Sequence, residues 1–140
     1  MKLAPSTEQD IERLTRWIEA DPYHHECFNP YWWLTGQGIF SFCLQDKEGP
    51  LAYFRLDEKN PDGFIRLHIQ FAPREEVSKL RLISGLFKCI PIVQDFCKQQ
   101  DGGIIFQSVN PSLIAFAKKN FNFEDFGQDD FVWRIEQAGV

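Results

Sequence analysis

The chain has 140 residues, 44% of them hydrophobic, and a net charge of −5; that size and composition suit one domain, residues 1–140, with a core that needs no disulfide or metal. Lysines and arginines are scattered singly, so no basic stripe invites a nucleic acid partner. The start MKLAPSTEQD has no apolar run of signal-peptide length and no later window approaches a membrane span, so the expectation is a cytoplasmic protein with no membrane partner.

In chain order, Met1–Ala4 reads as a short edge strand broken by Pro5. Ser6 or Thr7 can cap a helix whose Ile11, Leu14, Trp17 and Ile18 make one apolar stripe, stopped at Asp21-Pro22. From Tyr23 to Gly38 proline, glycine and aromatics alternate without a period, and a short helix is expected near Tyr31 to Leu34. The runs Ile39–Leu44, Leu51–Leu56 and Phe64–Phe71 are joined by QDKEGP and DEKNPDG, which carry hairpin residues, so they predict an antiparallel meander. The third run sets Ile65, Leu67, Ile69 and Phe71 on one face and Arg66, His68 and Gln70 on the other.

The stretch FAPREEVSKLRLISGL predicts a strand end running into a long helix, with Val77, Leu80, Ile83, Leu86 or Phe87, and Ile90 in register. Pro91 should kink or split that helix before Asp101-Gly102-Gly103 ends it. Ile104–Val109 is a short, nearly continuous apolar run, as a strand buried on both faces and parallel to the one before the helix would be. Asn110-Pro111 caps and opens a helix with Leu113, Ile114, Phe116 and Ala117 inward, and a hairpin of about Phe123–Phe126 and Phe131–Ile135 closes around GQDD. Cys27, Cys43, Cys89 and Cys97 form no CxxC pair, and the last two lie about 12 Å apart along one helix, so all are read as reduced thiols.

This order of elements resembles the Gcn5-related N-acetyltransferase superfamily over nearly the whole chain. KLAPSTEQDIERL is similar to the first strand and capped helix of that family. GGIIFQSVNPSLIAFAKKNFNF, Gly102 to Phe123, is similar to its fifth strand, the asparagine opening the next helix, and the closing Gly-Phe pair, here Asn122-Phe123. Asparagine serves in place of glycine because it tolerates the left-handed conformation that ends a helix. The resemblance implies an α/β fold: a mixed six- or seven-stranded sheet, flanked by helices, splayed between the strands ending at Phe71 and Val109. Strands that part leave a cleft where ligands bind.

The resemblance also implies acetyl-CoA or another acyl-CoA as cofactor, running along Phe71, Ala72, Val77, Ser78, Lys79, Leu80, Arg81 and Asn110. In the family a glycine-rich loop after the fourth strand wraps the pyrophosphate with bare amides. Here Glu76 to Arg81 contains no glycine, and Glu75 and Glu76 put negative charge at its mouth. Glutamates in a first helical turn equally suit a helix that binds nothing, and Lys79 and Arg81 could meet a phosphate by side chain or be a solvated face. The family's tyrosine acid is also missing: its position holds Lys118.

For chemistry, His68 is the candidate base and Lys118 the candidate proton donor, with His68 hydrogen-bonded between Arg66 and Gln70 as the plain structural alternative. Tyr31, Trp32 and Trp33 would border the acceptor groove or simply cover the sheet, and Asp129 and Asp130 on the facing turn would favour a cation. His24, His25, Glu26 and Cys27 lack a second ligand pair, so no metal is expected. Gly36-Gln37-Gly38 precedes a strand and reads as a loop. The resulting expectation is an acyl-CoA N-acyltransferase-like protein with a degenerate cofactor site and weak or no activity, monomer or homodimer. The alternative is a non-catalytic ligand-binding or interaction protein, such as a bacteriophage or bacterial accessory factor.

Overall fold

Alternation along the central strands decides the architecture. In the computed structural model, which describes residues 1–22 and 29–135, the elements are β1 (Lys2–Pro5), a 3₁₀ turn (Glu8–Asp10), α1 (Ile11–Ala20), a 3₁₀ helix (Pro30–Leu34), β2 (Phe40–Asp46), β3 (Gly49–Leu56), β4 (Phe64–Phe71), α2 (Lys79–Gln99), β5 (Gly103–Gln107), α3 (Pro111–Phe121), β6 (Glu124–Gly127) and β7 (Asp130–Trp133). They form one sheet in the order β1-β2-β3-β4-β5-β7-β6. Among the described residues only the β4–β5 pair is parallel.

Period-two alternation sends each face of β4 to a different layer. Leu67 and Ile69 line one apolar pocket with Leu86 and Ile90 of α2 and Phe116 of α3. Gln70, opposite Tyr53 of β3, faces α1, where Trp17 packs on the Tyr53 ring with centroids 5.2 Å apart. Gln70 is fully buried and donates to the Trp17 carbonyl and to Asp21, so a polar residue on this face links α1 to the sheet rather than facing water. Cys43, Cys89 and Cys97 are free and buried.

The splay lies between β4 and β5, as the resemblance implies, but β5 ends at Gln107 rather than Val109, which is exposed. β4 and β5 pair only at Phe64–Gly103, Ile65–Ile104 and Arg66–Ile105, and then part. Gly103 sits at the start of this junction, and a Cβ there would stand 2.6 Å from the Trp133 carbonyl oxygen and 3.0 Å from the Phe64 ring. Contact that close leaves room for hydrogen alone.

Two expectations about α2 need correction. The helix begins at Lys79, because Ser78 adopts an extended conformation and accepts the Arg81 amide, capping it. Glu75 and Glu76 therefore precede the helix in a turn whose Glu76 and Val77 amides bond to the Pro73 carbonyl, and Leu80 is 81% exposed instead of facing the core. Pro91 does not split α2, since Cys89, Ile90, Val93 and Cys97 on either side of it are all buried and hold the helix against the sheet.

At the other end of the fold, Asn122 has φ 62° and ψ 31°, the left-handed cap expected of it. The β6–β7 turn puts two further non-glycine residues there, Gln128 at φ 54° and Asp129 at φ 64°. A two-residue hairpin with the twist of its strands requires that conformation at both central positions. Among the described residues no helix is long and apolar enough to cross a membrane.

Candidate functional site

Where β4 and β5 separate, a cleft of about 820 Å³ opens, a size suited to a small-molecule ligand. Its floor is Leu67, His68, Ile69 and Phe71 of β4 together with Phe106 of β5, and the 3₁₀ helix lays Trp32 and Trp33 across it. Of the residues expected from sequence, it brings together His68, Phe71, Trp32, Trp33 and Asn110. Asn110 also caps α3, accepting the Ser112 and Leu113 amides.

His68 is the most elaborated side chain in the cleft. Its Nε2 lies 2.9 Å from Asp57 Oδ2, and Asp57 Oδ1 accepts from Arg55 Nε at 2.8 Å. The imidazole stands edge-on to Trp32, centroids 4.7 Å apart at 89°. Burial pushes the His68 pKa below its ordinary value despite the opposing pull of the Asp57 carboxylate, so the ring is neutral at pH 7. Burial would raise the Asp57 carboxyl, but hydrogen bonds from Arg55 and His68 outweigh it and hold Asp57 ionised.

Arg55 and Asp57 escape a reading of the sequence by motif. Arg55 is the one charged residue in the buried run LAYFRL and stands opposite His68 in the β3–β4 register, a pairing visible only once that register is known. It is 7% exposed, donates to the carbonyls of Trp32 and Thr35, and lies 4.0 Å from the Trp32 ring centroid. Arg55 thereby holds the 3₁₀ helix over His68.

The segment after β4 is engaged by its own side chains. Glu76 accepts from Arg16 Nε at 2.8 Å, Arg16 Nη2 at 3.1 Å and Trp17 Nε1 at 2.9 Å, tying the turn to α1. Val77 and Ala72 are buried, while Ser78, Lys79 and Leu80 are exposed at the start of α2. Arg81 turns away to the β2–β3 hairpin, where Nε and Nη2 grip Asp46 at 2.8 and 2.7 Å and Nε also meets Glu48 at 2.9 Å.

That grip predicts an acid-sensitive contribution to stability. Hydrogen bonds from Arg81 pull the Asp46 carboxyl down to about 2. A depressed pKa contributes stability that is present above the unfolded value of about 3.9 and is lost as pH falls through the folded one. Urea unfolding of the parent and of Asp46→Asn should therefore show a stability gap that closes between about pH 5 and pH 2. A gap that stays constant over that range means Asp46 does not titrate through Arg81.

Several expected site residues stand elsewhere. Lys118 pairs with Asp125 at 2.8 Å on the exposed side of α3 and is not brought to the cleft. Asp130 is matched by Arg66 at 3.0 Å, so its charge is already answered from β4. Asp129 and Tyr31 are exposed and do not line the cleft. His24, His25, Glu26 and Cys27 lie outside the described residues.

No protein-family model and no curated protein matches the sequence. Solved structures do match. A ribosomal-protein alanine N-acetyltransferase from Escherichia coli superposes with a TM-score of 0.68 at 11% identity, covering 99% of this chain and 97% of that one. A spermidine N-acetyltransferase from Vibrio cholerae, in complex with CoA and spermine, gives 0.65 at 14% identity over 94% of this chain and 90% of its own. The chain has the Gcn5-related N-acetyltransferase fold. An aminoglycoside acetyltransferase in complex with coenzyme A and kanamycin matches equally well, at 0.66 and 15% identity over 95% and 94% of the two chains.

The turn that precedes α2 has Glu76 clamped to α1 and Val77 buried. Lys118 is committed to Asp125. The cleft holds the opening between the strands and the polarised His68.

Proposed function

We propose that this acyl-CoA N-acyltransferase-like protein binds a small ligand in the cleft between β4 and β5, takes acetyl-CoA or another acyl-CoA only weakly, and transfers little or no acetyl group to simple amines. The observation that carries this is the closed turn before α2. A pyrophosphate needs several bare amides converging on it, and here Val77 is packed inward, Glu76 adds an ionised carboxylate tied to α1, and the Arg81 charge is spent on Asp46. The α2 N-terminus is left with the Lys79 and Leu80 amides beneath exposed side chains.

Thermal unfolding with and without millimolar acetyl-CoA tests this. A ligand at 100 times its dissociation constant adds about 2.7 kcal/mol of stability. Little or no rise in midpoint is expected. A large rise would show that the chain holds the cofactor without glycines, with Phe71, Ala72, Ser78, Lys79, Leu80 and Asn110 as the residues then to be examined.

A second reading is favoured by one specific contact, the hydrogen bond between His68 and Asp57. An N-acyltransferase must take a proton from the amine, and a neutral imidazole in a cleft is suited to do so. In that reading His68 is the base, Trp32 and Trp33 bound the acceptor, and the proton donor to the departing thiolate is not Lys118.

A further inference from the structure

We propose that Asp57 is a positioning residue: held by Arg55, it fixes the His68 ring as the Nε2–H tautomer and so makes Nδ1 the hydrogen-bond acceptor that the cleft offers to an amine or hydroxyl group of its ligand. This rests on reading the cleft as the ligand site. An ionised carboxylate can only accept, so at 2.9 Å from Asp57 Oδ2 the His68 Nε2 has to carry the hydrogen. A neutral imidazole has one N–H, and the lone pair therefore resides on Nδ1.

The tautomer is held because each part of the arrangement is held in turn. Asp57 cannot swing away, since its other oxygen accepts from Arg55 Nε and its backbone amide donates to the Arg66 carbonyl at 3.0 Å. Arg55 cannot follow it, because the carbonyls of Trp32 and Thr35 take its Nη1 and the Trp32 ring underlies its guanidinium. The edge-on packing of Trp32 and Trp33 limits rotation of the imidazole plane. Among the described residues, the charged groups that bear on the ring are Asp57, which favours the imidazolium, and Arg55 and Arg66, which disfavour it together with burial.

A fixed acceptor selects ligands by chemistry. An ammonium, amine or hydroxyl can donate to Nδ1, whereas a carboxylate or phosphate placed there meets a lone pair with nothing to share. An amine or alcohol is therefore the ligand class of this cleft, and a carboxylate is excluded from the His68 position.

The test is a long-range ¹H–¹⁵N correlation spectrum of the uniformly labelled, ligand-free protein, with His68 assigned by its disappearance in His68→Gln. A single neutral tautomer protonated on Nε2 is expected near pH 7. Protonation on Nδ1, or the averaged mixture of free imidazole, overturns the proposal. In Asp57→Asn the tautomers should mix and the His68 pKa should fall further, because the carboxylate that favours the imidazolium is gone; an unchanged tautomer and pKa would show Asp57 to be structural only. Titrating n-butylamine and butyrate in parallel should move the Nδ1 resonance with the amine alone, and the reverse order, or no movement with the amine, overturns the ligand class. None of these measurements involves coenzyme A, so their failure is separable from that of the cofactor reading.

Discussion

Replacing Arg55 with methionine should lower the free energy of unfolding by about 3–5 kcal/mol, the range seen when one partner of a buried ion pair is removed. Methionine is long enough to fill the space and has no donor. Asp57 would lose the guanidinium that holds its carboxylate, and the carbonyls of Trp32 and Thr35 would lose their donors while half covered. Each such unsatisfied group costs about 1–3 kcal/mol. The cation–π contact with Trp32 is lost as well, so the 3₁₀ helix loosens over the cleft. The measurement is the denaturant midpoint at unchanged m-value, with the near-ultraviolet dichroism of the tryptophans as a local report. A loss below about 1 kcal/mol, within what exposed pairs give, would mean that Arg55 does not hold the roof of the site.

The second large effect concerns chemistry. For any acyl transfer to a primary amine in this cleft, His68→Gln should lower kcat by about two to four orders of magnitude, the share that a positioned general base supplies. Glutamine can still donate a hydrogen bond to Asp57 and fill most of the ring's volume, so the substitution removes the titratable nitrogen and spares the packing. The sign of the pH dependence follows from burial. Because His68 titrates below its ordinary value of about 6.5, activity should already be near its plateau at neutral pH and fall only as the medium becomes acidic enough to charge the ring. Activity that survives the substitution with the same acid limb would remove His68 from the chemistry.

These two residues mark how far the sequence reaches. His68 was legible because it stands on the polar side of an alternating strand, and alternation is a property of neighbours along the chain. Arg55 acquires its meaning only across the sheet, where the β3–β4 register sets it opposite His68 and the fold lowers the Trp32 carbonyl onto it. No spacing along the chain encodes either relation.

The same division runs through the rest of the molecule. The meander, the parallel β5, the left-handed cap at Asn122 and the splay followed from periodicity, turn residues and a resemblance in element order, because each depends on a few consecutive side chains. The start of α2 did not, since only packing decided that Val77 would go inward and that Ser78 would cap a helix leaving Leu80 exposed. Charge was the least legible feature. Arg81, Lys118 and Asp130 looked available for ligands in a linear chain, yet each has found an opposite charge on another element. Coulomb attraction acts through space and ignores chain distance. The sequence by itself therefore determined which strands and helices form and that no glycine stands between Glu76 and Arg81. The tertiary structure decided which charges remain to meet a ligand, and it left the cleft with a neutral histidine oriented by Asp57.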